Sequence, residues 1–180
     1  MTINEKYIKL RHQISDGDLI LFKGTGIVAK IIRNCDSSEF SHIGVVVEKH
    51  GALYIVDANG RGVEADRLSY RINSYKDNAD FLILKPKASR VEVDYEMGRL
   101  LRRSDEKSIA YDFKNGIKEL FNRKFGTKLK IRLDENKDIC SDYVSRYAIN
   151  LGMVCEKFKD LRIAFPQDYM RYTNFENTQI

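Results

Sequence analysis

Cys140 is the residue of this chain whose type and position best suit nucleophilic chemistry. The surrounding sequence predicts a helix that begins near Cys140 and stops at Gly152. The reason is that one buried helix face has the spacing i, i+3, i+4, i+7, which is the spacing of Cys140, Tyr143, Val144, Tyr147 and Leu151. A thiol in the first turn of a helix feels the positive end of the helix dipole, which favours the thiolate. The position therefore suggests an activated thiol.

A thiolate nucleophile needs an imidazole to relay protons, and the candidate is His42. It lies in Phe40-Ser41-His42-Ile43-Gly44-Val45-Val46-Val47, a β-branched run that predicts a buried strand. The residues alone leave a second interpretation open, in which Cys140 is a small core side chain and His42 a satisfied core histidine. The other cysteines lack a helix start that lowers the thiol pKa: Cys35 is predicted in the loop before the His42 strand, and Cys155 follows the helix stop.

Metal and nucleotide motifs are weak in this sequence. His12, His42 and His50 are scattered, and no pair has the spacing of zinc ligands. Gly24-Thr25-Gly26 lacks the third glycine of a dinucleotide fingerprint and the Gly-Lys-Ser/Thr ending of a P-loop, so a plain turn is expected. We therefore expect neither a metal nor a cofactor.

Length and composition predict a single domain over residues 1–180. Hydrophobic residues make up 43% of the chain and charged residues 32%, as in folded soluble proteins. No apolar run approaches the roughly 20 residues that span a bilayer, and the N-terminus does not resemble a secretory signal. Three cysteines argue against a disulfide framework. The expected location is the cytoplasm; the oligomeric state is left open.

Positive charge is concentrated in residues 114–132. Seven basic residues against Glu119 give this basic segment a charge of +6, while the whole chain carries +5; the seven are Lys114, Lys118, Arg123, Lys124, Lys128, Lys130 and Arg132. One interpretation is a solvated surface, and the other is a binding surface for an anionic partner. Phe113, Phe121 and Phe125 interleave with these charges, but a buried helix side explains them equally well.

Hydrophobic periodicity and turn residues predict strands first and helices later. We expect strands at 19–22, 40–47, 53–58, 63–65 and 81–84, helices at 4–13, 27–32 and 91–103, and loops at 34–39 and 70–79. Hairpin turns at His50-Gly51 and Asn59-Gly60 join the middle strands into an antiparallel meander. The fold class that follows is α+β.

Six short motifs occur in the order found in the permuted papain-like amidases of the YiiX/YaeF group, which belong to the NlpC-type papain-like superfamily. The motifs are Gly17-Asp18-Leu19-Ile20-Leu21-Phe22, Ser41-His42-Ile43-Gly44-Val45-Val46, Tyr54-Ile55-Val56-Asp57-Ala58, Tyr111-Asp112-Phe113, Cys140-Ser141-Asp142-Tyr143-Val144 and Phe165-Pro166-Gln167-Asp168. The resemblance covers about residues 15–170. It implies a circularly permuted papain-like fold, with an antiparallel sheet from the N-terminal half packed against helices mainly from the C-terminal half.

The same resemblance implies that Cys140 is the nucleophile of a thiol hydrolase, His42 its general base and Asp57 the acid that orients the imidazole. In a hairpin His42 and Asp57 can share one sheet face, where the carboxylate would accept the Nδ1 proton. The family more often has Glu at this position, so Glu64 is the alternative acid.

Further site candidates are Tyr111, Ser41 and Ser141, for substrate or oxyanion contacts. For the Tyr-Asp element a local role is equally open, with Asp112 capping the following helix. The backbone N–H of Cys140 is the expected first oxyanion donor.

The resemblance implies cleavage of an amide or peptide bond in a peptide, a cell-wall-like fragment or another acylated substrate. The related lecithin:retinol acyltransferase-like branch, which transfers acyl groups between lipids, gives an alternative function as a lipid-directed acyltransferase or thioesterase. That branch usually has a second histidine where this chain has Asp57. A third alternative is a non-enzymatic module that binds an anionic partner through the basic segment.

Overall fold

The structure of the protein is a computed structural model that describes residues 1–76, 78–86, 88–106, 110–111, 113–131, 137–138, 140–152, 154, 156–159, 161, 164–172 and 176–178. The helices are α1 Ile3–Leu10, α2 Ile27–Asp36, α3 Leu68–Asn73, α4 Arg90–Glu106, α5 Phe113–Phe125, α6 Cys140–Asn150, α7 Glu156–Lys159 and α8 Pro166–Tyr172. The strands are β1 Leu19–Lys23, β2 His42–Lys49, β3 Ala52–Asn59, β4 Gly62–Arg67, β5 Asp80–Lys85, β6 Ala110–Tyr111, β7 Lys137–Asp138 and β8 Glu176–Thr178.

An antiparallel sheet of six strands, in the order β4-β3-β2-β1-β5-β8, forms the centre of the fold. The predicted meander of β2, β3 and β4 is confirmed, and the β2–β3 turn places His50 and Gly51 at φ 52° and 72°. Positive φ at both central residues gives a hairpin turn whose twist matches that of the strands. The α+β class is confirmed as well, whereas the pairing of β8 with β5 was not predicted.

The two faces of the sheet are covered by different helices, as the alternation of side chains along a strand requires. One face, with Leu19, Leu21, Val45 and Val56 among its residues, packs against α4, α6, α7 and α8. The opposite face packs against α1 and α3 and includes Ile20, Phe22, Val46, Ile55 and Ile83. Both layers are fully buried at their centres, so the strands are held rigidly.

The predicted helix at Cys140 is confirmed as α6, and three tyrosine hydroxyls fix its position. Tyr143 donates to the carbonyl of Leu100 at 3.0 Å and Tyr147 to that of Gly17 at 3.1 Å. Tyr169 of α8 donates to the carbonyl of Ser141 at 2.6 Å. Because these bonds are buried and link α6 to three other segments, the first turn of the helix is held in place against the sheet.

Two predicted loops are partly helical. The first, at 34–39, contains the last turn of α2, which continues to Asp36 and is capped by Ser37 at φ 52°. Cys35 therefore lies on a helix and not in a loop, because α2 packs its last turns against Leu120 and Phe165. The second, at 70–79, contains most of α3, whose Ile72 is buried against the sheet. In both cases tertiary packing stabilises a helix that the local pattern does not predict.

No helix among those that the structure describes is long and apolar enough to cross a membrane.

Candidate active site

The candidate site lies where β2 and β3 separate. Their register runs from Lys49↔Ala52 to Val45↔Val56, so the first residues of β2 and the last residues of β3 lie beyond the paired part. The last residues of β3 pair with β4 instead, with Asp57 opposite Glu64. The helix α6 packs against β2 and β3 and brings Cys140 to this opening.

His42 and Asp57 form a direct hydrogen bond across the opening. His42 Nε2 lies 2.8 Å from Asp57 Oδ2, and the two side chains are 17% and 0% exposed. The predicted contact through Nδ1 is wrong, because the ring presents its Nε2 edge to the carboxylate. Gly44 provides the room for this arrangement, since a Cβ there would stand 2.6 Å from Ile55 and 3.1 Å from Asp57 Cβ.

The Cys140 thiol interacts with the His42 ring and with the backbone N–H of Ile43. Burial raises the pKa of this thiol, but the charge on His42 and the hydrogen bonds from His42 and Ile43 outweigh it and lower the pKa below its ordinary value. Burial lowers the pKa of His42, whereas Cys140 and Asp57 raise it, so the net pKa lies well above its ordinary value. The two groups favour a thiolate and imidazolium pair.

Arg71 of α3 holds the second oxygen of Asp57. Its Nη2 donates to Asp57 Oδ1 at 2.9 Å and to Asp66 Oδ2 at 3.0 Å. A fully buried carboxylate requires such partners, and the guanidinium fixes the direction of the Asp57 side chain. The sequence reasoning missed Arg71 because it treated residues 70–79 as a loop, and no spacing links Arg71 to His42.

Glu64, the alternative acid, lies beside Asp57 on the neighbouring strand. Its carboxylate accepts from Asn59 Nδ2 at 3.0 Å and pairs with Arg61 at 2.8 Å. Asn59 also lies 3.4 Å from Asp57 Oδ1 and so connects the two acids. Of these acids, the described contacts of His42 include only Asp57.

The three predicted substrate or oxyanion residues lie in different surroundings. Ser141 is fully buried and donates to the carbonyl of Ala164 at 2.6 Å, and Ser41 donates to Phe22 and accepts from the Gly24 N–H. Both hydroxyls are thus engaged with the backbone of the fold. The backbone of Tyr111 pairs with that of Asp138, just before Cys140, while its side chain and Asp112 lie outside the described residues.

A cleft of about 640 Å³ opens beside His42. Its wall includes Ser41, Arg71, Tyr75 and the Gly24-Thr25-Gly26 turn. The Tyr75 ring stacks on Phe22 with centroids 4.8 Å apart. Burial raises the pKa of Tyr75, which is also close enough to feel the charges of His42 and Cys140. Tyr75 is therefore a neutral hydroxyl next to the site, and it too was missed from the sequence.

The other cysteines and histidines are remote from this chemistry. Cys35 packs with Ile32 against the α5 side of the fold, and Cys155 lies outside the described residues. His12 and His50 are exposed, on the helical turn after α1 and in the β2–β3 hairpin. Among the cysteines and histidines that the structure describes, Cys140 and His42 are the ones brought together.

Part of the positive charge of the basic segment is paired with acidic side chains. Arg123 is half-buried and pairs with Asp168 at 2.8 Å, Glu119 at 3.3 Å and Asp36 at 3.5 Å. Phe121 and Phe125 do not form a buried helix side, since they are 41% and 62% exposed. Arg132 and the side chain of Phe113 lie outside the described residues. The segment thus combines a structural arginine with an exposed surface of lysines and aromatic rings.

Comparison with known proteins identifies the fold. The chain is similar to the metalloprotein YiiX of Escherichia coli O157:H7, assigned to DUF1105, whose crystal structure matches with a TM-score of 0.69. The match covers 93% of this chain and 97% of YiiX at 15% sequence identity, a level that shows the fold alone. No family model and no curated protein matches the sequence.

A metal is a property of YiiX, and the described residues of this chain do not fit one. They contain no group of three His, Cys, Asp or Glu side chains arranged to hold a metal ion. At the candidate site the Asp57 carboxylate is already bonded to His42 and Arg71. Cys140 and His42 alone would provide fewer protein ligands than structural or catalytic zinc sites use.

Proposed function

We propose that this protein is a thiol hydrolase with a permuted papain-like fold, which cleaves an amide or peptide bond through an acyl-enzyme on Cys140. The observation that carries the proposal is the continuous series of contacts from the Cys140 thiol through His42 and Asp57 to Arg71. A nucleophile, a base and an orienting acid in this order are the parts that acyl transfer needs.

In the first half of the reaction the Cys140 thiolate forms a bond to the carbonyl carbon of the substrate, and the carbonyl π electrons move to oxygen. The backbone N–H of Cys140, at the start of α6, donates to this oxyanion, and the neutral Tyr75 hydroxyl is the second donor. When the carbonyl re-forms, the bond to the leaving group breaks. The leaving group takes the proton from His42 Nδ1, the nitrogen that does not face Asp57.

In the second half water attacks the thioester and passes a proton to the same nitrogen of His42. Collapse of the second tetrahedral intermediate releases the acid and returns Cys140 as thiolate. Throughout both steps Asp57 accepts a hydrogen bond from Nε2 of His42, which fixes the ring so that Nδ1 faces the thiol. Arg71 holds Asp57 from the far side.

The proposal is tested by acylation with p-nitrophenyl acetate, an activated ester that requires little substrate recognition. We expect a burst of nitrophenol and an acetyl group on the peptide that contains Cys140. Cys140→Ala should abolish the burst, while the matched control Cys35→Ala should retain it. The assignment would be overturned if Cys35→Ala lost the burst and Cys140→Ala kept it. It would also be overturned if Cys140→Ala were still acetylated with an undiminished burst.

Acyl transfer to or from a lipid is a second candidate within the same chemistry. The observation that favours it is an exposed apolar face on α2, where Ile27, Val28 and Ile31 are 81%, 47% and 42% exposed. Val28 also lines the cleft beside His42. If acylation by p-nitrophenyl esters becomes faster as the acyl chain lengthens, and Ile27→Ser together with Ile31→Ser removes this trend, lipid-directed transfer is favoured over amide hydrolysis.

A third candidate is binding of an anionic partner by the basic segment without catalysis. It is favoured by the exposure of Phe121 and Phe125 next to Lys124 and Lys128. Exposed rings beside lysines present both an apolar and an electrostatic contact to such a partner.

A further inference from the structure

A second pocket adjoins the cleft beside His42. It has a volume of about 340 Å³ and is lined by Lys23, Thr25, Lys30, Arg33, Lys76 and Asn78. Thr25 and Lys76 also line the cleft, so the two spaces are contiguous. We call this space the basic pocket. Among the residues that the structure describes, its lining contains four cationic side chains and no carboxylate.

Three separate elements contribute the four cations. Lys23 ends β1, and Lys30 and Arg33 lie three residues apart on one face of α2. Lys76 follows α3. These residues are spread over more than fifty positions of the sequence, so their convergence is a property of the tertiary structure alone.

The side chains of these four residues form no ion pair or hydrogen bond with any residue that the structure describes. Other lysines near the sheet are paired, as Lys6 of α1 is with Asp80 at 2.7 Å and Lys85 of β5 with Asp18 at 3.0 Å. Asp80 lies opposite Lys23 in the β1–β5 register, but its carboxylate bonds Lys6. In addition, Nε of Arg33 is buried without a partner among the described residues.

Four like charges around one concavity, without a counter-ion among the described residues, repel one another, and a bound anion relieves that repulsion. Guanidinium and ammonium groups are the side chains that bind carboxylate and phosphate oxygens most strongly. A buried guanidinium N–H without a partner also carries a desolvation cost that an anionic acceptor would remove. The pocket therefore fits a compact anion better than any neutral group.

We propose that the basic pocket is a substrate subsite that binds a carboxylate or phosphate group while the scissile acyl bond lies at Cys140. The proposal rests on the proposed function and extends it to the class of substrate, which is an acylated molecule with an anionic group beyond the bond that is cleaved. Lys76 and Thr25 lie at the junction and lead from the cleft into the pocket.

Anion binding is tested first without reference to catalysis, by calorimetry with pyrophosphate and citrate on the full chain. The double variant Lys23→Gln/Lys30→Gln should weaken binding of at least one of them by about tenfold, because each cation contributes a charge-assisted contact. The control Lys9→Gln/Lys49→Gln removes the same charge from exposed residues away from the pocket and should bind as the wild type does. Preference for pyrophosphate or for citrate distinguishes a phosphate group from a carboxylate.

The link to the thiol is tested with mono-p-nitrophenyl esters of succinate, glutarate, adipate and suberate, each compared with its methyl ester. The free acids should acylate Cys140 faster than their methyl esters at one or more chain lengths, by about tenfold, since cationic clefts raise the local concentration of anions. The chain length with the largest ratio of acid to methyl ester measures the span from the thiol to the pocket. In Lys23→Gln/Lys30→Gln this ratio should fall towards one, and in the control variant it should persist.

The outcomes separate this inference from the proposed function. Equal anion affinity of the wild type and the pocket variant overturns the basic pocket as an anion site. Acid-to-methyl ratios that are the same in both proteins, with Cys140 acylated in each, overturn its role as a substrate subsite. If no ester acylates Cys140 at all, the hydrolase proposal fails, and calorimetry still decides whether the pocket binds anions.

Discussion

Arg71 Nη2 lies 2.9 Å from Oδ1 of Asp57, the carboxylate whose other oxygen holds His42 at 2.8 Å. This brings a residue of α3, which lies on the face of the sheet opposite α6, into indirect contact with the candidate base. Because Asp57 is fully buried, these two partners take the place of water at its carboxylate oxygens. Arg71 is accordingly a positioning residue for His42.

We expect Arg71→Gln to lower the free energy of unfolding by about 3 kcal/mol, because it leaves a buried carboxylate with one partner fewer. Acylation of Cys140 should fall by about tenfold, because Asp57 no longer orients the ring. Arg71→Lys should recover stability more than acylation, since an ammonium supplies the charge but lacks the planar, rigid donor geometry that fixes the direction of Asp57. Arg67→Gln, at an exposed arginine beside α3, is the control. A purely structural role would lower stability and leave the pH profile of acylation unchanged.

The orienting acid is tested by comparing Asp57→Asn with Glu64→Gln. We expect Asp57→Asn to reduce acylation by about a hundredfold, with a smaller loss than His42→Ala, because it disturbs the orientation and charge of the base without removing it. Glu64→Gln should have little effect, since Glu64 bonds Asn59 and Arg61. The reverse result, a costly Glu64 change and a neutral Asp57 change, would transfer the role to Glu64. Circular dichroism checks that each variant is folded.

Alkylation by iodoacetamide should label Cys140 well before Cys155, with a midpoint below the ordinary thiol pKa of 9.0. The sign follows from the causes: thiolate forms as pH rises through a pKa that His42 and Ile43 lower. In His42→Ala the main remaining influences on the Cys140 pKa are burial, which raises it, and the Ile43 hydrogen bond, which lowers it. The pH midpoint of alkylation should therefore move up, and labelling at neutral pH should slow by at least about tenfold. Peptide mapping gives the site. Resistance of Cys140 in the folded protein while Cys35 reacts would contradict the nucleophile assignment, whereas labelling of both would be consistent with it.

Asp36 should make the protein less stable as pH rises from about 4 to 6. Burial and the nearby Asp168 carboxylate raise its pKa from 3.8 to about 6, despite Arg123. Between these values the folded state binds more protons than the unfolded state, so the free energy of unfolding falls with rising pH, by up to about 2 kcal/mol. Asp36→Asn should flatten this slope in urea titrations, and the exposed Glu39→Gln should leave it. A slope that Asp36→Asn does not alter would mean that the carboxyl titrates normally.

The basic segment should bind a long anionic partner more strongly than a small ester. We expect Lys124→Gln/Lys128→Gln/Lys130→Gln to weaken binding of polyglutamate at low salt and to reduce its salt dependence, because exposed charges act over about 8 Å at physiological ionic strength. The matched triple change is Lys9→Gln/Lys49→Gln/Lys157→Gln. Fluorescence anisotropy of labelled polyglutamate measures the affinity and its salt dependence for each variant. Equal losses of polyglutamate affinity in the two triple variants would mean that the basic segment is only a solvated surface and not a binding surface.

Local patterns in the sequence were sufficient to predict the elements that carry Cys140 and His42, the candidate nucleophile and base. The apolar spacing from Cys140 to Leu151 predicted α6, and the β-branched run after His42 predicted β2, because each signal repeats over several turns or residues. The hairpin residues His50 and Gly51 also predicted that β2 and β3 are neighbours, which brought Asp57 towards His42.

Interactions between distant segments were beyond that reasoning, because they depend on how the elements pack. Which nitrogen of His42 faces Asp57 depends on the separation of β2 and β3 beyond Val45. Arg71 reaches Asp57 because α3 packs on the face of the sheet that carries Asp57. Charge shows the same contrast. Counting residues placed the positive excess at 114–132, where Arg123 is already paired with acids. Cations with no ion pair in the described part of the chain instead converge around the basic pocket from β1, α2 and the segment after α3. A sequence carries the charge of each side chain, but only the tertiary structure decides which charges are paired and which are left to bind a ligand.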